Sequence, residues 1–575
     1  MATRAEKRRP ARAPLAAEAF LRALADHGID FFFANPGTDF PPIVEAFTRA
    51  EHSNAKVPRP VVIPHENLAV AMAHGAYLMT GRPQAVMVHV NVGTANTLNN
   101  LINLSRDRVP ILLAAGRTPV TERGLFGSRS RPIHWAQEMF DQAGMLREVV
   151  KWDYELRVPE QISDVVSRAY EVAMTSPRGP VYMVLPREPL AAPLSEPVAG
   201  VSPRALPASS HPDPCAIATL ADWIVAADRP LILTAASGEP DAVDALARIA
   251  ERVAIPVVTN NARIVALPSS HPMHFGSEPG ALFADADLII AIESDAPWYP
   301  NLQQTASGAR VVHIGEDPVF QRYPMRNFAS DLAIMAGTAN IMSALDKTLA
   351  QRLEESSNGI KASIAARREQ LHERQQQRQT KLANDSAATE HITKAYLSRM
   401  IGQAVGPDAI IFNEYPLLLD HCRREKPSTF FGLSPAGGLG WGVGAALGAK
   451  LAAPEKLVVA TVGDGAYMFT NPTVCHWVAN TFKLPVLTII FNNSRYGAVR
   501  SATLSMFKDG VAGESDGRFM ADLDPSPDFA AIARAQGAHG ARVERPQDLA
   551  PALEDAKSAV LNAGRPALLD VICPY

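Results

Sequence analysis

Short apolar runs alternate with longer stretches of helical period along most of the chain. Residues 31–34, 60–64, 85–90 and 111–115 read as strands, and 40–50, 67–80 and 95–106 as the helices between them. Strands apolar along their whole length are buried on both faces, as in parallel sheets covered by helices. The alternation therefore predicts an α/β domain. A second unit repeats it with strands at 230–234, 256–259, 288–292 and 310–314, and a third carries apolar runs at 457–462 and 484–491. Between them, 190–214 is a Pro/Ala/Ser-rich linker. The polar, Gln/Arg/Glu-rich stretch 350–386 sustains no apolar heptad and reads as an exposed helical connector. The expected organisation is a flexible tail (1–14), a first domain (15–189), the linker (190–214), a central domain (215–346), the connector (347–390) and a last domain (391–575). The fold class is α/β, with three consecutive open parallel sheets.

Composition narrows the classes of function. At 575 residues the chain is too long for one core. Hydrophobic residues make up 47% and charged ones 20%, the balance of a water-soluble globular chain. A net charge of −4 gives no reason to expect nucleic acid or an anionic membrane as partner. The four cysteines, Cys215, Cys422, Cys475 and Cys573, are scattered without a C-x-x-C, which fits a reducing, cytoplasmic setting and no zinc site. No apolar run is long enough to span a bilayer. The Arg/Lys/Ala-rich head lacks an apolar signal core and reads as a tail rather than a targeting peptide.

The chemistry concentrates in the third unit. The run 457–462 ends in Gly463-Asp464-Gly465-Ala466, and the run 484–491 ends in Asn492-Asn493. Glycines at a strand tip let the backbone approach an anion, and the following helix offers free N–H groups. A carboxylate and an amide oxygen on two strand tips suit a Mg²⁺ ion that also holds phosphate oxygens. By itself, Gly-Asp-Gly is equally an ordinary turn and helix cap. In the first unit, Glu66 opens a helix and His89 ends a strand ahead of a Gly93-Thr94 turn, at the sheet edge where open α/β sheets place ligands. Each also has a plain structural account: a carboxylate at the positive end of a helix, and a histidine bonded into a turn. Pro36-Gly37 suits a type II turn before Thr38.

Gly463-Asp464-Gly465 closed by Asn492-Asn493, with Ala436-Gly437-Gly438-Leu439-Gly440 upstream and Tyr496-Gly497 downstream, resembles the cofactor motif of thiamine-diphosphate enzymes. The resemblance covers nearly the whole chain and names the three domains pyrimidine-binding, central and diphosphate-binding. It implies that Asp464, the Asn493 side chain and the Arg495 carbonyl hold Mg²⁺. Gly437, Gly438, Leu439, Gly463, Gly465, Ala466, Tyr496 and Gly497 then line thiamine diphosphate, Leu439 as the bulky residue that keeps it bent. Ala466 replaces the family's usual Ser and removes one hydroxyl contact to the diphosphate. Glu66 stands where the family places the acid that exchanges a proton with the pyrimidine, on a different subunit from the diphosphate it serves. That implies a homodimer or homotetramer with active sites at the subunit interface.

His89 with Gly93-Thr94-Ala95-Asn96 is similar to the His-x-x-x-Gly-Thr-x-Asn run of benzoylformate decarboxylases, where the histidine faces the reacting carbon. The loop with Thr38 resembles one that meets the substrate carboxylate. The implied activity is a carbon–carbon lyase or carboligase: a benzoylformate decarboxylase-like 2-oxo acid decarboxylase or an acetolactate synthase-like enzyme. A close alternative takes acyl-CoA substrates, as 2-hydroxyacyl-CoA lyases and oxalyl-CoA decarboxylases do, with Arg322 and Arg326 as candidate CoA contacts. A non-catalytic scaffold would need none of Glu66, Asp464 and Asn493. In relatives the central domain binds FAD, ADP or nothing, and no Gly-x-Gly-x-x-Gly follows a strand here. Trp298 and Tyr299 reach toward a site or pack.

Overall fold

A computed structural model describes residues 13–196, 200–202 and 205–574. Nearly all of the tail and parts of the linker lie outside them. The chain divides into two compact units, Met1–Pro207 and Ala208–Tyr575.

The first unit holds β1 (Phe31–Asn35), β2 (Arg59–Val62), β3 (Gln84–Val88), β4 (Ile111–Arg117), β5 (Asp153–Glu155) and β6 (Val181–Pro186). They form one sheet in the order β2-β1-β3-β4-β6-β5, every pairing parallel. β3 and β6 are buried at every position, as expected for strands covered on both faces. Each fully buried large apolar side chain, such as Phe32 or Phe33, contributes about 1.5–3 kcal/mol relative to exposure. The edge strand β5 is half-exposed and carries Asp153-Tyr154-Glu155, so its apolar pattern is absent.

Two helices of this unit position chemistry. Helix Glu66–Thr80 is buried from Asn67 to Ala76; its small alanines let it sit between neighbours on all sides. Asn67 locks it to helix Val90–Arg106: its side-chain oxygen accepts from the Asn100 N–H (2.9 Å), and its carbonyl accepts from Asn100 Nδ2 (3.0 Å). That second helix starts at Val90, five residues before the expected 95, and β3 stops at Val88 rather than running to 90. The reason is at Gly93, which lies inside the helix rather than in a turn. A Cβ there would meet Val88 Cβ at 3.1 Å and Glu66 Oε1 at 3.3 Å, so glycine keeps the helix close to the carboxylate.

The second unit holds two sheets. β7 (Pro230–Thr234), β8 (Val257–Val258), β9 (Leu288–Ile292), β10 (Arg310–Gly315) and β11 (Leu332–Met335) lie in the order β11-β10-β9-β7-β8. β12 (Ile410–Glu414), β13 (Phe430–Gly432), β14 (Val458–Gly463), β15 (Leu487–Asn492), β16 (His539–Val543) and β17 (Ala567–Ile572) lie in the order β13-β12-β14-β15-β17-β16. All pairings in both are parallel. Three open parallel sheets thus make up the α/β fold.

The polar stretch after the central sheet is packed rather than exposed along one side. Helix Thr338–Glu355 runs through the expected boundary at 346, and Ile364 and Leu371 of helix Asn358–Asp385 join the apolar cluster around β7–β11. Arg367 is buried; its Nη1 donates to the Ala227 carbonyl (2.8 Å) and its Nε to the Ala254 carbonyl (2.9 Å). These carbonyls follow the C-terminal ends of two helices, where a cation is favoured.

Candidate active site

In the first unit, Thr38, Glu66 and His89 all lie just beyond the C-terminal ends of β1, β2 and β3. The strand order turns back between β1 and β3, and such a switch point opens a crevice. The Glu66 carboxylate accepts from Asn96 Nδ2 at 2.6 Å. The Thr38 carbonyl accepts from Arg187 Nη1 at 3.3 Å. His89 is partly buried, and its Nδ1 lies 2.5 Å from Asp39 Oδ1. The hydrogen bond to Asp39 raises its pKa, burial opposes this, and the charges of Asp39 and Glu66 add to the rise. Thr38, Asp39 and His89 line a small polar cavity with Thr118, His134 and Gln137; the Gln137 amide nitrogen lies 3.4 Å from His89 Nε2.

In the second unit, Asp464 opens helix Asp464–Phe469 directly after β14. Its carboxylate accepts from the N–H of Gly465 (2.9 Å) and of Arg495 (3.2 Å), which ties the tip of β14 to the turn after β15. The same Arg495 N–H lies 3.0 Å from Asn493 Oδ1, so Asp464, Asn493 and Arg495 meet in one place. Burial pushes the Asp464 carboxyl up, against the pull of those backbone N–H groups. Asn492 is internal: its Nδ2 donates to Asp570 Oδ1 (2.9 Å) and Ser526 Oγ (3.0 Å). A Cβ on Gly465 would lie 2.5 Å from the ring Cε1 of Tyr496. Gly497 opens helix Gly497–Met506 beyond it. The Arg495 side chain pairs with Asp516 (2.8 Å) and Asp522 (3.1 Å), anchoring that turn.

The glycine-rich loop of 436–440 is held by a residue that motif reading did not single out. Glu414, at the end of β12, is fully buried, and its two oxygens accept from the N–H groups of Gly440 (2.8 Å) and Gly442 (2.6 Å). Burial pushes its carboxyl up to about 7, outweighing the N–H groups of Gly442, Gly440 and Trp441. Gly437 takes a positive φ of 71° within this loop, a conformation open to glycine. Leu439 is half-buried.

These groups suit a phosphate-bound Mg²⁺. Asp464 supplies a buried carboxylate whose bonds come from backbone, Asn493 and Arg495 supply neutral oxygens, and a Cβ on Gly463 would meet nothing within 4 Å. Among the described residues no group of three or more His, Cys, Asp or Glu could hold a metal. A single carboxylate with amide and carbonyl oxygens is the set that leaves places for phosphate oxygens.

Three family descriptions match the chain: the N-terminal TPP binding domain of thiamine pyrophosphate enzymes over residues 15–145, their central domain over 217–345 and their C-terminal TPP binding domain over 415–571. The chain belongs to the thiamine pyrophosphate enzymes. Among relatives of this thiamine pyrophosphate enzyme, a probable 2-ketoarginine decarboxylase of Pseudomonas aeruginosa is 26% identical over 98% of this chain and 95% of its own length. A benzoylformate decarboxylase of the same organism is 26% identical over 95% and 97%. An acetolactate synthase large subunit of Corynebacterium glutamicum is 27% identical over 97% and 86%. The structure of benzoylformate decarboxylase from Polynucleobacter necessarius shares the fold, with a TM-score of 0.77 at 22% identity over 98% of this chain and all of that one.

In the central domain of this thiamine pyrophosphate enzyme, Trp298 is core, buried between Phe283 and Phe328. Tyr299 is exposed and accepts from Asn261 Nδ2 at 2.8 Å. Arg326 stacks on Phe320 and Phe328 and donates to the carbonyls of Asp295 (2.8 Å) and Ser294 (3.1 Å). At the tip of β9, Glu293 accepts from the Glu316 N–H (2.8 Å) and the Thr338 hydroxyl (2.7 Å). No helix of the described residues is long and apolar enough to cross a membrane.

Three partners escaped the reading of motifs. Asp39 adjoined Thr38, Asn96 closed the quoted run, and Glu414 stood 26 positions before Gly440. A carboxylate at the end of an apolar run was the available signal for Glu414.

Proposed function

We propose that this thiamine pyrophosphate enzyme is a Mg²⁺-dependent 2-oxo acid decarboxylase that releases an aldehyde, with ligation to a second carbonyl as its alternative outcome. The observation that carries the reading is His89, set by Asp39 so that its ring borders the polar cavity beyond β3. The names of the decarboxylase relatives support it.

Bound thiamine diphosphate supplies the electron sink that lets a 2-oxo acid lose CO₂. The chain's residues do the rest. Asp464, the Asn493 side chain and the Arg495 carbonyl hold Mg²⁺, and Gly437, Gly438, Gly463, Gly465, Ala466, Tyr496 and Gly497 line the cofactor. Leu439, half-buried rather than core, keeps a side chain available for steric work. Glu66 exchanges a proton through its carboxylate, oriented by Asn96. Thr38 orients the substrate carboxylate. His89 delivers a proton from Nε2 to the reacting carbon. Glu66 and Asp464 serve each other across subunits, so the active form is a homodimer or homotetramer. All four cysteines are free, in keeping with the reducing cytoplasm.

The acyl-CoA alternative loses support at Arg326, whose Nε and Nη2 donate to carbonyls inside the protein. The test is a turnover screen with thiamine diphosphate and Mg²⁺ over benzoylformate, 2-ketoarginine, pyruvate and 2-hydroxyacyl-CoA esters. A 2-oxo acid is expected to be cleaved to its aldehyde, and His89→Ala should slow that by roughly 10²–10⁴-fold while sparing ligation with added aldehyde more. Cleavage of the CoA esters alone would overturn the proposal.

A further inference from the structure

Two glycines vacate the space that His89 and Asp39 occupy. A Cβ on Gly37 would lie 2.1 Å from His89 Nδ1, and one on Gly116 would lie 1.7 Å from Asp39 Oδ2. Asp39 follows β1, Gly116 lies in β4, and His89 follows β3 between them. Three strands of one sheet therefore converge on this pair. Asp39 is 4% exposed, its Oδ1 lies 2.5 Å from His89 Nδ1, and its Oδ2 accepts from the Val90 N–H at 3.4 Å. A buried carboxylate without such bonds would be costly; here it receives one from a ring and one from the backbone.

The pairing fixes more than position. A carboxylate accepts only, so Nδ1 must carry the proton, and Nε2 is left to face the cavity as acceptor in the neutral ring or donor in the charged one. We propose that Asp39 is a positioning residue for the reaction, forming with His89 a His–Asp dyad that fixes the ring's tautomer and presents Nε2 to the substrate. This rests on the reading of His89 as the proton donor.

The other charges around the ring do not replace Asp39. Glu66 acts in the same direction, through charge alone. Arg117, Arg187 and His134 also line the cavity. Arg117 is matched by Glu138 and Glu155, and Arg187 donates to the carbonyls of Gly127, Ser128 and Thr38. His134 accepts the Ser130 N–H through Nδ1 at 3.0 Å. Asp39 is the acid in direct contact with the His89 ring.

The test is ¹⁵N-histidine NMR of the full chain without substrate, with the His89 signal identified among 15 histidines by its loss in His89→Ala. Wild type should show neutral His89 as the Nδ1–H form, titrating above the ordinary histidine value. Asp39→Asn should lower that titration and mix the tautomers, and in the holoenzyme should cut aldehyde release at least about 10-fold with KM little changed. An Nε2–H tautomer in wild type overturns the dyad without any variant. So does an Asp39→Asn protein whose His89 titrates as in wild type; Asp39→Ser gives the same reading if the amide variant does not fold. If His89→Ala leaves aldehyde release unchanged, the donor reading fails, and the NMR still decides whether the pair exists.

Discussion

The first and last sheets of this enzyme are the same sheet in topology. β2-β1-β3-β4-β6-β5 and β13-β12-β14-β15-β17-β16 run in one order, all parallel, each turning back at its second and third strands. What differs is the chemistry at the crevice this creates. At β1–β3 stand three titratable side chains, Glu66, His89 and Asp39. At β12–β14 stand glycine backbone and two buried carboxylates, Asp464 and the loop-holding Glu414. A common scaffold places ligands at its strand ends, and under the proposed function the residues put there divide proton chemistry from phosphate holding.

The division can be broken most severely at Glu66. Glu66→Gln should lower turnover by roughly 10²–10⁴-fold while cofactor affinity stays near wild type, read by hydrogen–deuterium exchange at the cofactor's reacting carbon and by titration. A mutant that exchanges as fast as wild type would remove Glu66 from the proton-handling side. Next is Asp464→Ala, which should weaken thiamine diphosphate and Mg²⁺ binding by about 3 kcal/mol, roughly two orders of magnitude. Calorimetric titration measures it; wild-type affinity would dissolve the phosphate-holding assignment.

A pH experiment sharpens the role of Glu414. Its folded carboxyl is pushed up to about 7 from 4.5 by burial, so between those values the folded protein holds a proton that the unfolded chain has released. The stability from this group is fully present below about pH 4.5 and lost as pH rises through about 7, a change of about 3 kcal/mol. Urea midpoints of the cofactor-free protein at pH 5 and 7.5 should show the fall, and Glu414→Gln should flatten it. An unchanged slope in the variant would assign the fall elsewhere.

The smallest effects come from matched glycines. Gly37→Ala forces a methyl into the His89 ring and Gly465→Ala one into the Tyr496 ring. The first ring is clamped by Asp39; the second residue is 37% exposed and can swing. Gly37→Ala should therefore cost about 1–3 kcal/mol, seen as slower aldehyde release at unchanged cofactor affinity. Gly465→Ala should raise the cofactor Kd less than about 3-fold. Equal effects on the two readouts would say that the crevices are not specialised as described.

Local pattern determined the three α/β units and most of the central strands, and the motif's resemblance grouped Asp464, Asn493 and Arg495. Strand identity there comes from uninterrupted apolar runs, and the metal-side residues are close in sequence to two neighbouring strand tips. Strand order and the pairings it permits were decided only in three dimensions. Asp39 meets His89 across 50 positions, Asn96 meets Glu66 across 30, and Glu414 reaches Gly442 across 28. The polar stretch after the central sheet likewise hid Ile364, Arg367 and Leu371, whose partners lie on other helices and strands. Hydrophobic period reports how a segment meets water along its own axis; it carries no record of which segment lies beside it. That neighbour is chosen by the packing of the whole sheet, so it is the sheet that turned a histidine and a distant aspartate into a pair.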